Sequence, residues 1–159
     1  MPRRTACVPG SLIDTCVWLA LSFEAHPCHR QTRLALLDST PDDPWLWCRA
    51  TKQSFLRLAS TPTLLNAYSA PTATNRDALH ALQALSALSK VAVVEEAPNL
   101  MACWMKLACL DQAAPKRWMD AFLAALDITG GWRLLTLDRD FLGFVNDGLE
   151  FKLLEVEGR

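Results

Sequence analysis

The sequence predicts an α/β fold, a three-layer α/β/α sandwich around a mostly parallel central sheet. Two observations predict it. Short apolar or β-branched runs alternate along the chain with stretches of helical periodicity, which is the pattern of βαβ units. The 159 residues, 51% of them hydrophobic and 21% charged, suit one globular domain with a sizeable core. That domain is expected over 11–159, behind a loose leader over 1–10.

Taken in order, Ser11 to Asp14 reads as a short buried strand that stops at an acid. Thr15 is placed to cap a helix from Val17 to Phe23. His29 to Ser39 has amphipathic spacing, with Leu34, Leu36 and Leu37 expected inward and Arg30 and Arg33 outward. A turn-rich loop over 40–44 leads to a second strand, Trp45 to Cys48. Helical spacing follows from Thr51 to Ala59, ended by Ser60, Thr61 and Pro62.

Ala78, Leu79, Leu82, Leu85 and Leu88 mark a helix over 72–89, with Thr74 or Asn75 as its cap. Val91 to Val94 is a third strand and Leu100 to Leu110 another helix. Pro115 is expected in a turn. Asp120 to Ile128 then reads as a compact helix closed by Gly130 and Gly131, returning through a strand over 132–137 that ends at Asp138. Leu149 to Val156 is expected at a sheet edge.

Net charge is −1, from 16 Lys and Arg against 17 Asp and Glu. This balance argues against indiscriminate nucleic-acid binding driven by bulk charge. The six cysteines are scattered without CxxC spacing, which predicts reduced thiols in a cytoplasmic protein. Asp14 interrupts the apolar stretch near the start, so a secretory signal is not expected, and no run is long enough to span a bilayer. His26, Cys28 and His29 lack the second ligand pair that a zinc site needs.

In open parallel sheets, ligands bind beyond the carboxyl ends of the strands. Two expected strands end in an aspartate there, Asp14 and Asp138. Asp120 starts a helix running roughly 15 Å outward at about 1.5 Å per residue, and the next strand brings the chain back. All three acids are therefore expected at one edge. Carboxylates so crowded repel one another unless a cation binds, and hard oxygen donors without imidazole or thiolate select Mg²⁺, with Mn²⁺ as the alternative. Such ions suit phosphoryl transfer. Asp140 is expected as a fourth acid and Thr136 as a positioning or substrate-contacting residue.

Four stretches in this order resemble the PIN domain, most closely the VapC-type toxins of bacterial type II toxin–antitoxin systems: Leu12-Ile-Asp-Thr-Cys-Val-Trp-Leu-Ala-Leu21, Cys48-Arg-Ala-Thr-Lys-Gln-Ser-Phe-Leu-Arg-Leu58, Trp118-Met-Asp-Ala-Phe-Leu-Ala-Ala125 and Leu135-Thr-Leu-Asp-Arg-Asp-Phe141. The spacing of His26 and His29 is also typical of one subgroup. The resemblance implies an Mg²⁺-dependent endoribonuclease that cuts an RNA phosphodiester with metal-activated water. It further implies a cognate antitoxin and a homodimer. Asp14, Asp120 and Asp138 fall on the family's acidic positions.

Two departures accompany the match. Ser54 stands where PIN domains often carry a glutamate, and Cys16 where they usually carry an asparagine. Arg57, Arg139 and Lys52 are expected at substrate phosphates. Thr15, Thr51 and Ser54 are expected to support the acids. Trp118 and Phe141 could stack on a base or pack in the core. An interaction module with a weakened site, binding antitoxin or RNA without efficient cleavage, is the alternative function. A phospho-acceptor receiver domain is disfavoured because Asp14 has no acidic neighbour and no Lys follows a late strand in the right place.

Overall fold

The computed structural model describes residues 9–155; residues 1–8 of the expected leader, Cys7 among them, and residues 156–159 lie outside them. Among these described residues five strands form one sheet: β1 (Ser11–Ile13), β2 (Trp45–Trp47), β3 (Val91–Val93), β4 (Arg133–Thr136) and β5 (Phe151–Leu153). Their spatial order is β3-β2-β1-β4-β5 and every pairing is parallel. The chain lays strands outward from β1 to β3, then crosses back to the other side of β1 for β4. The order therefore reverses between β1 and β4.

Among the described residues seven helices connect them: α1 (Thr15–Ser22), α2 (His29–Asp38), α3 (Arg49–Leu58), α4 (Pro62–Ala67), α5 (Asn75–Ser86), α6 (Leu100–Ala108) and α7 (Pro115–Gly130). A 3₁₀ segment spans Arg139–Asp147. Strand side chains alternate between faces, and each face has its own core. Leu12, Leu46 and Leu134 pack with α6, α7 and the 3₁₀ segment. Ile13, Trp45, Trp47 and Leu135 pack with α1, α3 and α5. In that second core Trp18 of α1 stacks on Trp47 of β2, ring centroids 3.8 Å apart and planes nearly parallel, with Phe55 of α3 edge-on to Trp47. This aromatic column seats the two helices that begin nearest the strand ends. Among the described residues no helix is long and apolar enough to cross a membrane.

The expected order of elements stands, while several local details differ. Helix α1 starts at Thr15, with Asp14 in the capping position in an extended conformation. Leu34 and Leu37 are exposed, at 46% and 68%. The inner stripe of α2 is instead Thr32, which is fully buried and donates to the His29 carbonyl, with Ala35 and Leu36. Thr32, Ala35 and Leu36 have the three- and four-residue spacing of one helical face. Pro62 opens a helix instead of closing one, and Pro115 is the first residue of α7. Proline fits the first helical turn because that N–H has no intrahelical partner there. Asp120 is consequently in the second turn of α7.

The C-terminus of α7 needs both of its glycines. Gly131 takes φ 71° and its N–H closes on the Asp127 carbonyl at 2.8 Å. A Cβ on Gly130 would overlap the Trp132 ring. In the last turns of that helix Asp127 is 1% exposed, and no side chain donates to its carboxylate, which has only the Glu150 N–H nearby, outside regular hydrogen-bond geometry. Burial, reinforced by the Glu150 carboxylate, pushes its pKa up to about 8. The native state thus binds a proton that the unfolded chain releases near pH 4, so stability should fall as pH rises from about 4 to 8 and level off above. Asp127→Asn should remove that slope and raise stability by about 1–3 kcal/mol near pH 8. Urea unfolding at several pH values checks it; a wild-type stability that does not fall across that window contradicts the expectation.

Candidate active site

Asp14 follows directly from β1. Its N–H bonds to the Leu135 carbonyl of β4 at 3.0 Å, which fixes the backbone where strand order reverses. Its carboxylate makes no helix-capping bond. Instead Oδ2 accepts from the Thr136 hydroxyl at 2.7 Å and from the Cys16 thiol at 3.2 Å. Burial raises the Asp14 pKa against the pull of these two donors. Burial and the adjacent Asp14 carboxylate raise that of Cys16, so the thiol stays protonated as a donor.

Thr136, fully buried, serves two acids at once. Its hydroxyl donates to Asp14 and accepts the Asp138 N–H at 3.0 Å. Asp138 in turn accepts the Asp140 N–H through Oδ1 at 2.9 Å, capping the 3₁₀ segment. Asp120 reaches the same region from α7.

Ligand oxygens of Asp120, Asp138 and Asp140 lie within 4.8 Å of one another. Asp14 is not in that compact group but lines the same cleft, beside Asp120 and Asp138. Lys116, on the first turn of α7, was not expected here. Its Nζ lies 2.7 Å from Asp138 Oδ2, 2.5 Å from Asp140 Oδ2 and 3.4 Å from Asp120 Oδ2. The sequence held one clue to it, the four-residue spacing of Lys116 and Asp120 on one helix.

The hydrogen bonds that Lys116 donates to Asp138 and Asp140 raise its pKa. Burial would raise that of Asp138, but Lys116 and the Asp140 N–H outweigh it, and the pKa is lowered. Asp120 titrates high, first through burial and then through Asp138 and Asp14, despite Lys116. Hard carboxylate oxygens gathered without imidazole or thiolate fit Mg²⁺ or Mn²⁺, so the donor set suits the expected ion.

The cleft, about 340 Å³, is also lined by Thr15, Cys16, Thr51, Ser54 and Arg57. Thr51 is buried and its hydroxyl accepts the Cys48 N–H at 3.1 Å, capping α3. Arg57 is exposed there; Lys52 and Arg139 do not line the cleft. Phe141 is 1% exposed and belongs to the core, which rules out stacking on a base. Trp118 sits edge-on to Trp104, which donates to the Trp118 carbonyl at 2.8 Å, away from the cleft lining. His26 accepts the Cys28 N–H and His29 contacts the Ala20 carbonyl, so both hold the turn into α2.

A parallel sheet with acids gathered at the reversal of strand order defines an α/β protein with an acidic cleft beyond the carboxyl ends of its strands. The PIN domain model matches residues 11–144, and the chain belongs to that family. It is similar to ribonuclease VapC41 of Mycobacterium tuberculosis, strains CDC 1551 / Oshkosh and ATCC 25618 / H37Rv, with 42% identity over 146 residues, 90% of this chain and 97% of the relative. Among solved structures it shares its fold with VapBC-1 from nontypeable Haemophilus influenzae (TM-score 0.60, 12% identity, 91% of this chain and 98% of the other). It also shares it with VapBC2 from Rickettsia felis, bound to a DNA fragment from their promoter (TM-score 0.58, 10% identity, 92% and 99%).

Removing the Thr136 hydroxyl leaves a buried carboxylate without its shortest donor and a backbone N–H without its acceptor. Thr136→Val should therefore cost about 1–3 kcal/mol, measured by denaturant unfolding. A loss no larger than that of a surface substitution would show that these bonds do not hold the acids.

Proposed function

We propose that this chain is a VapC-type toxin of a type II toxin–antitoxin system, an endoribonuclease that depends on Mg²⁺, with Mn²⁺ as the alternative ion. The observation that carries this reading is the convergence of Asp120, Asp138 and Asp140 within 4.8 Å, with Asp14 in the same cleft. The 42% identity to a ribonuclease over nearly the whole of both chains supports it. RNA is the substrate in this reading, a cognate antitoxin is the protein partner, and the protein assembles as a homodimer in the cytoplasm. The domain is taken to begin at about Ser11.

Asp120, Asp138 and Asp140 would hold the ion, with Asp14 in the same cleft beside Asp120 and Asp138. The ion, when bound, supplies Lewis-acid stabilisation of phosphate charge and a more acidic water. The chain's own residues do the rest. Thr136 and Cys16 fix the Asp14 carboxylate, so its orientation is set before substrate arrives. The Cys16 thiol fills the donor role expected of an asparagine, at a longer distance and with a weaker donor. Arg57, exposed on the cleft wall, is placed to meet a non-bridging phosphate oxygen, and its guanidinium suits that oxygen geometrically. Ser54, at the glutamate position, removes one acid from the wall and favours the alternative of a weakened site. An interaction module of that kind would bind RNA without cutting it.

Asp14→Asn should lower RNA cleavage in Mg²⁺ by at least about a hundredfold while the circular dichroism spectrum stays native. Cleavage at the wild-type rate would remove Asp14 from the site. Arg57→Ala should weaken RNA binding and reduce the slope of log K against log salt by about one. Filter binding from low to moderate salt measures it, and an unchanged slope would exclude a phosphate contact at Arg57.

A further inference from the structure

Lys116 needs an explanation that neither folding nor the expected acidic set provides. The contacts that secure the start of α7 to the core belong to its neighbour. Arg117 Nε donates to the Leu107 carbonyl at 3.0 Å, and its guanidinium lies over the Phe144 ring at 4.0 Å. The ion pairs of Lys116 all run to Asp120, Asp138 and Asp140. Those are the three residues whose ligand oxygens lie within 4.8 Å of one another.

We propose that Lys116 is a built-in stand-in for the catalytic cation: its ammonium occupies the space among Asp120, Asp138 and Asp140, and a divalent ion enters only by displacing it. The proposal rests on the metal-dependent reading above. Its basis is geometric. An Mg²⁺ ion sits at about 2.1 Å from its oxygen ligands, so an ion shared by oxygens this close would lie where Nζ now lies. Two cations at that separation repel strongly, and the acids cannot serve both.

The electrostatics favour exchange. Three carboxylates against one ammonium leave a formal surplus of two negative charges, enough to hold the acids together yet still attract a divalent ion. The lysine side chain is 57% exposed and its four-carbon stem is flexible, so withdrawal requires no backbone movement. The ammonium therefore keeps the acids assembled in the metal-free protein and sets the metal concentration at which the site fills.

The test titrates Mn²⁺ into purified full-length protein at constant ionic strength, by calorimetry and by the electron paramagnetic resonance signal of free Mn²⁺. Lys116→Met, which keeps the apolar stem and loses the charge, should bind Mn²⁺ about tenfold more tightly than wild type, equivalent to about 1.4 kcal/mol. Its metal-free melting temperature should fall below wild type, and saturating Mn²⁺ should close that gap. Lys116→Gln is measured alongside so that a folding defect in one variant does not decide the result. Lys116→Arg, which restores a cation, should return affinity toward wild type. Equal or weaker binding by both uncharged variants, with wild-type binding intact and abolished by Asp120→Asn, overturns the stand-in role and leaves the metal-dependent reading standing. A wild-type protein that binds no Mn²⁺ in an Asp120-dependent way overturns both.

Discussion

The parallel pairing of β1 with β4 is the constraint on which this molecule is built. Leu12 sits opposite Leu134 and Ile13 opposite Leu135, and all four side chains are buried. A slip of one residue would turn each to the wrong face of the sheet. That register carries Asp14 and Asp138 to the same edge, and it sets the Thr136 hydroxyl between them. Because strand order reverses there, α1 and the 3₁₀ segment leave β1 and β4 on opposite faces and the space above the strand ends stays open.

Acids gathered at such an edge are a cost to the fold, and the structure offsets it in two ways. Directed donors meet individual oxygens: Thr136 and Cys16 at Asp14, the Asp140 N–H at Asp138. A single mobile cation, Lys116, meets three carboxylates together. The two devices differ in kind. Hydrogen bonds from a buried hydroxyl fix orientation, whereas an exposed ammonium on a flexible stem supplies charge that can be exchanged. Asp14 is held by the first and the compact acidic group mainly by the second. The same chain tolerates a further buried acid, Asp127, to which no side chain donates. Its proton is what makes it tolerable.

Much of the fold was legible because it rests on local pattern. Strands such as Leu12-Ile13 and Leu134-Leu135 are apolar on both sides, as a doubly covered parallel sheet requires, and the five expected strands are all present. Element ends were harder. The role of proline at 62 and 115 depends on whether a helix follows, and Pro62 and Pro115 each start one. The inner stripe of α2 was misread toward Leu34 and Leu37 because leucine is the stronger hydrophobic signal, while burial against α1 selected Thr32, Ala35 and Leu36. The 3₁₀ segment has no distinctive period and was not anticipated. Phe141, close to Asp138 in sequence, points into the core for reasons that no local pattern contains.

The sequence by itself determined the sheet-and-helix alternation, the identity of the acids and the end of the molecule where they meet. These follow from side-chain period and from the out-and-back path of the chain. Tertiary structure alone decided which acids form the tight group, that Asp140 joins it while Asp14 stands beside it, and that Lys116 enters it. Distances of a few ångströms between residues about twenty positions apart depend on helix length, register and rotamer together. A linear pattern reports each of these separately, and only packing fixes them at once.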